Sequence, residues 1–198
     1  EVGRKFMKIG VLALQGDFLD HQVILEGLGV EALQVRLAHQ LDSLDGLIIP
    51  GGESTTMGKL AVDFGLLEPL RQFGRRKAVW GTCAGTIFLS DDVHCDQPVL
   101  GLMNISVERN AFGRQIDSFE IDLDIPSLLD VSEEERPFHA IFIRAPLIDA
   151  VHDDVDVLAN LPDGAIVAAQ QGHLLATSFH PELTGDDRIH RYFLRMVK

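Results

Sequence analysis

Short apolar runs alternate with segments of helical spacing along the first half of the chain. Residues 8–14 are almost continuously apolar, which predicts a strand buried on both faces. The turn-forming Gly16 and the N-cap candidate Asp17 then lead into a predicted helix. The apolar stripe of this helix consists of Leu19, Val23, Ile24 and Leu28. Such spacing predicts that this face of the helix is the buried one.

The same alternation continues to residue 82. Further strands are predicted at Glu31–Val35, Gly46–Ile49 and Ala78–Thr82. Residues 55–76, between the last two strands, are mostly helical, with breaks expected near Gly65 and Pro69. Because strands joined by helical crossovers run parallel, this half of the chain predicts a mostly parallel sheet of the α/β class.

The second half changes to short strands that are separated by Pro, Gly and Asp turns. The six segments are residues 105–108, 119–123, 140–143, 155–161, 165–170 and 174–179. They predict an antiparallel extension of the parallel core, and the acidic run 133–135 is expected to be a solvated loop. A last helix is opened by Asp186 and Asp187 and ended by Lys198, in agreement with the helix dipole. Its apolar stripe is Ile189, Phe193, Met196 and Val197.

Length and composition indicate one domain with a sizeable core. The chain has 198 residues, of which 46% are hydrophobic. We predict a single domain over residues 7–198. Residues 1–6, ahead of Met7, are expected to be an upstream extension or a cloning remnant. No stretch approaches the roughly 18 uncharged apolar residues of a membrane helix, and the N-terminus lacks the order of a secretory signal.

Charge and cysteine content narrow the partners and the compartment. Seventeen Lys and Arg against thirty Asp and Glu give a net charge of -13, which disfavours nucleic acid and anionic membranes as partners. Two cysteines, Cys83 and Cys95, are too few for a disulfide framework and indicate a reducing cytoplasm. Eight histidines are present, but no C-x-x-C pair or H-E-x-x-H helix occurs, so we expect no metal site.

Cys83 lies in the most informative pentapeptide, the G-x-C-x-G sequence of residues 81–85. It follows an apolar strand and precedes a short apolar helix, which is the pattern of a nucleophile elbow. Flanking glycines lack the Cβ atoms that would clash in such a reversal, and the sulfur then projects above the carboxyl edge of the sheet, where α/β proteins bind ligands. The alternative is that Cys83 is a small buried hydrophobic side chain. Cys95, in a polar loop, is expected to be inert.

A cysteine nucleophile needs a base and a group that orients the base. His180 is predicted to end the last strand, and Glu182, two residues further, points to the same side in an extended chain. Glu182 would then accept a hydrogen bond from one imidazole nitrogen while the other nitrogen faces Cys83. A lone histidine at a strand end is more often a surface or capping residue, but the H-P-E triplet combined with the elbow favours a triad.

A glycine-rich loop, residues 50–54, follows the third strand and ends where a helix begins. Its glycines can turn backbone amides toward an oxyanion, and the amide of Ala84 is the second donor expected in an elbow enzyme. The alternative for this loop is an ordinary turn. A phosphate-binding role is disfavoured because no G-x-x-x-x-G-K-[ST] sequence is present.

Together with further segments, these motifs resemble the class I (triad) glutamine amidotransferases, and within them the glutaminase subunits of pyridoxal 5'-phosphate synthase. The resemblance covers nearly the whole chain from Met7 and implies a three-layer, flavodoxin-like α/β fold. The segments are residues 10–16, 47–57 (LIIPGGESTTM), 81–85 (GTCAG), 107–119 (VERNAFGRQIDSF), 142–146 (FIRAP) and 178–184 (SFHPELT). The cysteine and H-P-E segments are shared across the superfamily, whereas PGGESTTM, ERN-x-FGRQ and IRAP look particular to the vitamin B6 branch.

The resemblance implies a role for each residue of the triad and the oxyanion hole. Cys83 attacks the side-chain amide of glutamine, His180 transfers protons, and Glu182 orients His180. Ammonia leaves, and a glutamyl thioester is hydrolysed to glutamate. The oxyanion hole consists of the backbone amides of Gly52 and Ala84. No cofactor is implied.

The resemblance also implies which residues hold the substrate. Glutamine contacts Gly51, Gly52, Glu53, Arg109, Ile143 and Arg144. The two arginines are suitable partners for an α-carboxylate, although either one, judged on its own, is more simply a surface ion pair. Gln15 corresponds to a position near the oxyanion site and the partner interface.

The partner implied is a (β/α)8-barrel pyridoxal 5'-phosphate synthase subunit in a large hetero-oligomer. Ammonia passes to it through a protected channel, and the glutaminase is expected to be inactive until it docks onto this partner. Three alternatives remain open from the residues. They are a glutaminase subunit that serves another synthase, an interaction module of the same fold without turnover, and a free-standing cysteine hydrolase that needs no partner.

Overall fold

The computed structural model describes residues 6–109 and 118–197, and it confirms the predicted α/β class. Most of the predicted N-terminal extension, the middle of the 107–119 motif and Lys198 lie outside the described residues. The strands are β1 (Lys8–Leu12), β2 (Glu31–Val35), β3 (Gly46–Ile49), β4 (Ala78–Thr82), β5 (Ser90–Asp92), β6 (Met103–Glu108), β7 (Ser118–Leu123), β8 (Phe138–Ile143), β9 (Leu147–Val151), β10 (Asp156–Asn160), β11 (Ile166–Gln171) and β12 (Leu174–Thr177). The helices are α1 (Phe18–Gly27), α2 (Ser54–Asp63), α3 (Leu67–Gly74), α4 (Ala84–Leu89) and α5 (Arg188–Met196).

The described strands form a ten-stranded sheet and a separate hairpin of β7 and β8. The main path of the sheet runs β2-β1-β3-β4-β12-β11-β9-β6-β5, with β10 paired to β11. The first five strands along this path are parallel to one another. From β12 onward the pairs are antiparallel up to β6, which confirms the predicted antiparallel extension. Because β4 and β12 are parallel neighbours, the segments that follow them, with Cys83 after β4 and His180 after β12, lie at the same edge of the sheet.

Two apolar clusters cover the two faces of the sheet. Neighbouring residues of β4, Val79 and Trp80, belong to different clusters because successive side chains of a strand point to opposite faces. Helices α2, α3 and α4 contribute to the first cluster, whereas α1, α5 and the β7–β8 hairpin contribute to the second. The result is the three-layer arrangement that was predicted. Within the described chain, no helix is both long and apolar enough to cross a membrane.

The predicted buried stripe of α1 is wrong. Leu19 is 58% exposed and Val23 is 68% exposed, whereas the fully buried side chains of this helix are His21 and Leu25. A helix with apolar residues on more than one side does not specify its own orientation. The orientation is set by the partners that α1 meets on the sheet, and these partners include polar groups for His21.

Smaller differences also have local causes. The break at Gly65 is confirmed, but Pro69 lies in the first turn of α3, where a missing backbone N–H leaves no helical hydrogen bond unmade. Asp17 occupies the N-cap position of α1, although its side chain makes no capping hydrogen bond. The strand predicted to reach residue 179 ends at Thr177, and the short strands β5 and β9 were not predicted.

Candidate active site

The turn from β4 into α4 holds Cys83 in a strained backbone conformation, with φ 48° and ψ -108°. The glycines on either side are required by close contacts. A Cβ atom on Gly81 would lie 2.4 Å from the carbonyl oxygen of Gly85, and one on Gly85 would lie 2.0 Å from the carbonyl oxygen of Ile49. A positive φ in a residue other than glycine costs energy and persists only when the surroundings enforce it. The local geometry is therefore that of a nucleophile elbow.

Hydrogen bonds to β12 hold this elbow in place. The amide of Cys83 donates to the carbonyl oxygen of Thr177 at 2.8 Å. The hydroxyl of Thr86, in α4, lies 2.9 Å from the carbonyl oxygen of Gly81 and 2.8 Å from that of Thr177. The strand that precedes His180 is thus bonded directly to the cysteine turn.

His180 and Glu182 form a close pair in which His180 Nδ1 lies 2.6 Å from Glu182 Oε1. Their pairing was expected from an extended chain, and that reasoning is wrong. Residues Pro181–Leu183 form a 3-10 turn, which folds the glutamate back toward the ring. Pro181 fits the first position of such a turn because its φ is already set. Both side chains are buried, and that of Glu182 is fully so.

The environment of His180 raises the pKa of its imidazole to about 10. Burial opposes this change because it penalises the charged form, but hydrogen bonds with Cys83 and Glu182 and the electrostatic attraction of these two groups outweigh it. At neutral pH the ring is therefore an imidazolium. A charged imidazole beside a cysteine is the arrangement that an acyl-transfer site requires at the moment when an amine leaves.

A cleft of ≈ 450 Å³ opens above the elbow. It is lined by Asp17, Gly52, Glu53, Ser54, Cys83, Ala84, Ile87, Arg109, Ile143, Arg144, His180 and Leu183. Three predicted site residues lie just behind this lining. Glu182 supports His180, Gly51 packs so closely on the His180 ring that a Cβ atom would lie 2.7 Å from Cε1, and Gln15 contacts Gly52. All the residues predicted for the site are thus gathered at one edge of the sheet.

The segment after β1 contacts the glycine-rich loop through two hydrogen bonds. The carbonyl oxygen of Gly51 accepts from the amide of Asp17 at 3.1 Å, and the amide of Glu53 donates to Gln15 Oε1 at 3.1 Å. Gly52 has φ 149°, and a Cβ atom there would lie 2.3 Å from Gln15 Nε2. Only glycine fits this position without displacing Gln15, so the side chain of Gln15 and the loop are packed as one unit.

Arg109 is anchored by residues that sequence reasoning missed. Its guanidinium donates to Gln97 Oε1 at 2.7 Å and to Thr55 Oγ1 at 3.1 Å, and it lies 3.4 Å from Glu53 Oε1. Gln97 follows the polar loop of Cys95 and carries no motif that points to the site. Arg144 enters from the end of β8 with φ 44° and is exposed at the rim of the cleft.

The carboxylate of Glu53 serves first as the N-cap of α2. It accepts from the amides of Thr55 and Thr56 and from the Thr56 hydroxyl. Partial burial would raise the pKa of this carboxyl, but the hydrogen bonds from Thr56 and Thr55 lower it to about 2. Glu53 therefore stays ionised and fixes the start of α2 next to the glycine loop.

Among the described residues, Asp17, His180 and Glu182 are the group whose ligand-type atoms lie close enough to hold a metal ion, within 4.8 Å of one another. However, His180 Nδ1 faces Glu182 Oε1 at hydrogen-bond distance, so this nitrogen carries a proton and offers no lone pair. We therefore interpret His180 and Glu182 as a hydrogen-bonded pair rather than as metal ligands.

The raised pKa of His180 has a consequence for stability. The group has an ordinary pKa of 6.5 and a folded-state pKa of about 10, so its charge stabilises the fold fully below pH 6.5, and this contribution is lost as the pH rises to about 10. We expect the free energy of unfolding, measured with urea at pH 6.5, 8 and 10, to fall more steeply in the original chain than in the His180→Asn variant. Parallel curves for the two proteins would contradict this prediction.

Comparison of the sequence with known proteins identifies one matching family and relatives that are similar over nearly their whole length. The sequence model of the SNO glutamine amidotransferase family matches residues 11–198. The chain is 58% identical over 193 residues to "Pyridoxal 5'-phosphate synthase subunit PdxT" of Herpetosiphon aurantiacus, covering 95% of this chain and 99% of the relative. It is 56% identical to the protein of the same name from Moorella thermoacetica, with 96% and 100% covered.

Two solved structures are similar to this chain over nearly its whole length. One described as "Crystal structure of glutamine amidotransferase" superposes with a TM-score of 0.87 at 48% identity and covers 96% of this chain and 98% of its own. "Structure of PurLQS from Thermotoga maritima" shares the fold alone, with a TM-score of 0.72 at 19% identity over 98% of this chain and 100% of its own. The family match spans most of the chain, and the relatives exceed half identity over nearly all of it. The chain belongs to the SNO glutamine amidotransferase family.

Proposed function

We propose that this chain hydrolyses L-glutamine to L-glutamate and ammonia and supplies the ammonia to a pyridoxal 5'-phosphate synthase subunit. The observation that carries the proposal is the arrangement of Cys83, His180 and Glu182, with a strained cysteine at a cleft and a histidine oriented by a buried glutamate. Family membership and the names of the relatives supply the substrate class and the partner.

In the first half-reaction the Cys83 sulfur attacks the side-chain carbonyl carbon of glutamine as a thiolate. The carbonyl oxygen becomes an oxyanion, which accepts from the backbone amides of Gly52 and Ala84. Ala84 is the first residue of α4, and the first amides of a helix have no partner within it. The His180 imidazolium gives its proton to the amide nitrogen, the C–N bond breaks, and ammonia leaves a glutamyl thioester behind.

In the second half-reaction the now neutral His180 takes a proton from water. The resulting hydroxide attacks the thioester carbon, the same two amides hold the second oxyanion, and the C–S bond breaks. Glutamate leaves, the thiolate is regenerated and His180 is again protonated. Glu182 keeps its carboxylate on His180 Nδ1 through both steps, so that the other ring nitrogen always faces the sulfur.

Arg109 and Arg144 flank the cleft, and we infer that they bind the α-carboxylate of glutamine. Arg109 is the better fixed of the two because Gln97 and Thr55 hold its guanidinium. Gly51, Gly52, Glu53 and Ile143 contribute the remaining contacts. Ile143 fits the role of a cleft wall because its side chain is partly exposed, and its carbonyl oxygen lies 3.8 Å from the Cys83 sulfur.

For the partner we propose a (β/α)8-barrel synthase in a large hetero-oligomer, in the cytoplasm. The relatives are named as subunits of pyridoxal 5'-phosphate synthase, and both cysteines of this chain are free thiols. The hydrogen bond from Asp17 to the Gly51 carbonyl sets the orientation of the Gly51–Gly52 peptide, and glycines allow that peptide to turn. Docking can therefore complete the oxyanion hole by a turn of this peptide.

The test is to measure glutamate and ammonia release by the chain alone, with the co-expressed synthase, and with an acceptor enzyme from another amidotransferase. We expect release to rise only with the pyridoxal 5'-phosphate synthase subunit. No hydrolysis in its presence would contradict the proposed activity. Equal release in all three samples would contradict partner activation and favour a free-standing hydrolase.

A further inference from the structure

Two buried histidines lie behind the proposed triad and take no part in the steps described above. His21 comes from α1 and His190 from α5, and neither side chain is exposed to solvent. His21 Nδ1 lies 2.9 Å from His190 Nε2, and both rings pack edge-on against Trp80. The opposite nitrogen of His21 faces Glu182. The two rings thus continue the line that runs from Cys83 through His180 and Glu182.

Glu182 needs such a neighbour. Its side chain is fully buried, and a buried carboxylate is costly unless both of its oxygens have polar partners. Oε1 is occupied by His180, whereas Oε2 has no well-aligned hydrogen bond among the described residues. The polar atom that faces Oε2 is His21 Nε2, at 3.5 Å. This distance is at the long end of the range for a hydrogen bond, and catalytic hydrogen bonds often tighten only when the substrate is bound.

The protonation of the two rings follows from their partners. Burial is the main cause that lowers the pKa of His21 well below its usual value, and repulsion from His190 and His180 in their protonated forms adds to it. Burial also lowers the pKa of His190 to about 3, so both rings are neutral at neutral pH. An ionised carboxylate only accepts, so the single proton of His21 lies on Nε2. Nδ1 of His21 is then an acceptor, and His190 donates to it from Nε2.

This assignment leaves His190 Nδ1 unprotonated. That nitrogen is buried and has no partner among the described residues, which is tolerable for a lone pair and costly for an N–H group. The reversed tautomers would aim a lone pair of His21 at the carboxylate and would bury an N–H of His190 without an acceptor. The hydroxyl of Thr82, 3.4 Å from His21 Nε2, can accept from the same proton and does not change the assignment.

We propose that His21 is a positioning residue for the reaction, which as a neutral Nε2–H tautomer donates to Glu182 Oε2 and thereby holds the glutamate in the orientation that His180 requires. His190 fixes the tautomer of His21 from behind. His21 does not touch the cleft, so it acts on turnover and not on glutamine binding. The inference rests on the proposed glutaminase activity, but the tautomers are a property of the protein itself.

Three substitutions separate this role from packing. In His21→Gln the amide Nε2 lies as many bonds from Cβ as the imidazole Nε2, so the donor to Glu182 is kept. In His21→Asn the amide reaches only the Nδ1 position, and His21→Leu has no polar atom at all. His39→Asn, at an exposed position, is the matched control for loss of a histidine. All are assayed in complex with the synthase, with kcat and KM measured from pH 5 to 9.

We expect kcat to fall roughly tenfold to a hundredfold in the Asn and Leu variants with KM unchanged, which is the size of effect seen when a metal-bound histidine loses its outer hydrogen-bond partner. The Gln variant should recover most of the activity, and the His39 control should match the original chain. The other titratable groups near His21, His180 and Glu182 are Asp17, Cys83 and His190, and they are unchanged in all variants.

The inference is overturned if all three variants keep kcat within about threefold, or if Gln, Asn and Leu lose activity equally and in step with their melting temperature. If the variants do not fold, ¹⁵N imidazole spectra of the original chain decide: a neutral His21 protonated on Nε2 supports the inference, and protonation on Nδ1 or on both nitrogens overturns it. Absence of any glutamine hydrolysis by the original complex would instead count against the proposed function, while the spectra still report on His21.

Discussion

Replacement of Cys83 by alanine is expected to reduce glutamine hydrolysis to the uncatalysed background. The proposed mechanism passes through a thioester on this sulfur, and no other side chain at the elbow can form one. The backbone should tolerate the change, because alanine keeps the Cβ atom and the hydrogen bond from residue 83 to Thr177 uses the main chain. Glutamate release in the presence of the synthase is the measurement. Normal turnover in this variant would remove the central claim.

Cys95 provides the matched control for this experiment. It is the other free cysteine of the chain, it is exposed, and its thiol lies 3.8 Å from Gln97 Oε1. We expect Cys95→Ala to retain glutaminase activity. Binding of the Cys83→Ala variant to the synthase should also be unaffected, which would separate loss of chemistry from loss of docking.

The His180→Asn variant is expected to lose about three to six orders of magnitude in kcat, because a nucleophile and its base act as one unit. The asparagine amide can replace Nδ1 and keep the contact with Glu182, but it offers nothing on the side of the sulfur. The loss should therefore appear in kcat, with less change in KM. A decrease of less than tenfold would show that His180 transfers no proton in the rate-limiting step.

Glu182→Gln is the companion to that variant and should cost less. The glutamine carbonyl can still accept from His180 Nδ1, so the ring remains partly oriented, but the negative charge that helps to hold the imidazolium is lost. We expect the pKa of His180 to fall in this variant, which titration of the ring by NMR can measure. A larger loss for Glu182→Gln than for His180→Asn would contradict the assignment of base and orienting group.

The elbow could be predicted from the sequence because its signature is local. The glycines at positions 81 and 85 are demanded by backbone atoms within a few residues or in the neighbouring strand, and the apolar runs on either side indicate strand and helix. The pairing of His180 with Glu182 was also predicted, but for the wrong reason. A 3-10 turn and an extended strand place side chains differently, and the choice between them depends on where β12 ends.

The orientation of α1 could not be predicted in the same way. Leu19 and Val23 have the spacing of a buried stripe, yet they face outward, and the buried side of the helix carries His21. Burying a histidine is favourable only when its nitrogens have partners, and these partners come from Glu182, Thr82 and His190. No pattern in the sequence around His21 indicates these partners. The same holds for Gln97, which acquires its importance by meeting Arg109.

By itself, the amino-acid sequence determined the alternation of strands and helices, the glycine-bounded turn at Cys83, the glycine loop after β3 and the set of motifs that this family shares. Each of these leaves its signature within a short window of sequence, as hydrophobic spacing or as glycines at a turn, although the atom that requires a glycine can come from another strand, as the Ile49 carbonyl oxygen does for Gly85. Only the tertiary structure decided which face of α1 is buried, which groups surround the carboxylate of Glu182 and what anchors Arg109. These features depend on contacts between distant segments, because the cost of burying a polar group is set by the partners that the completed fold brings to it.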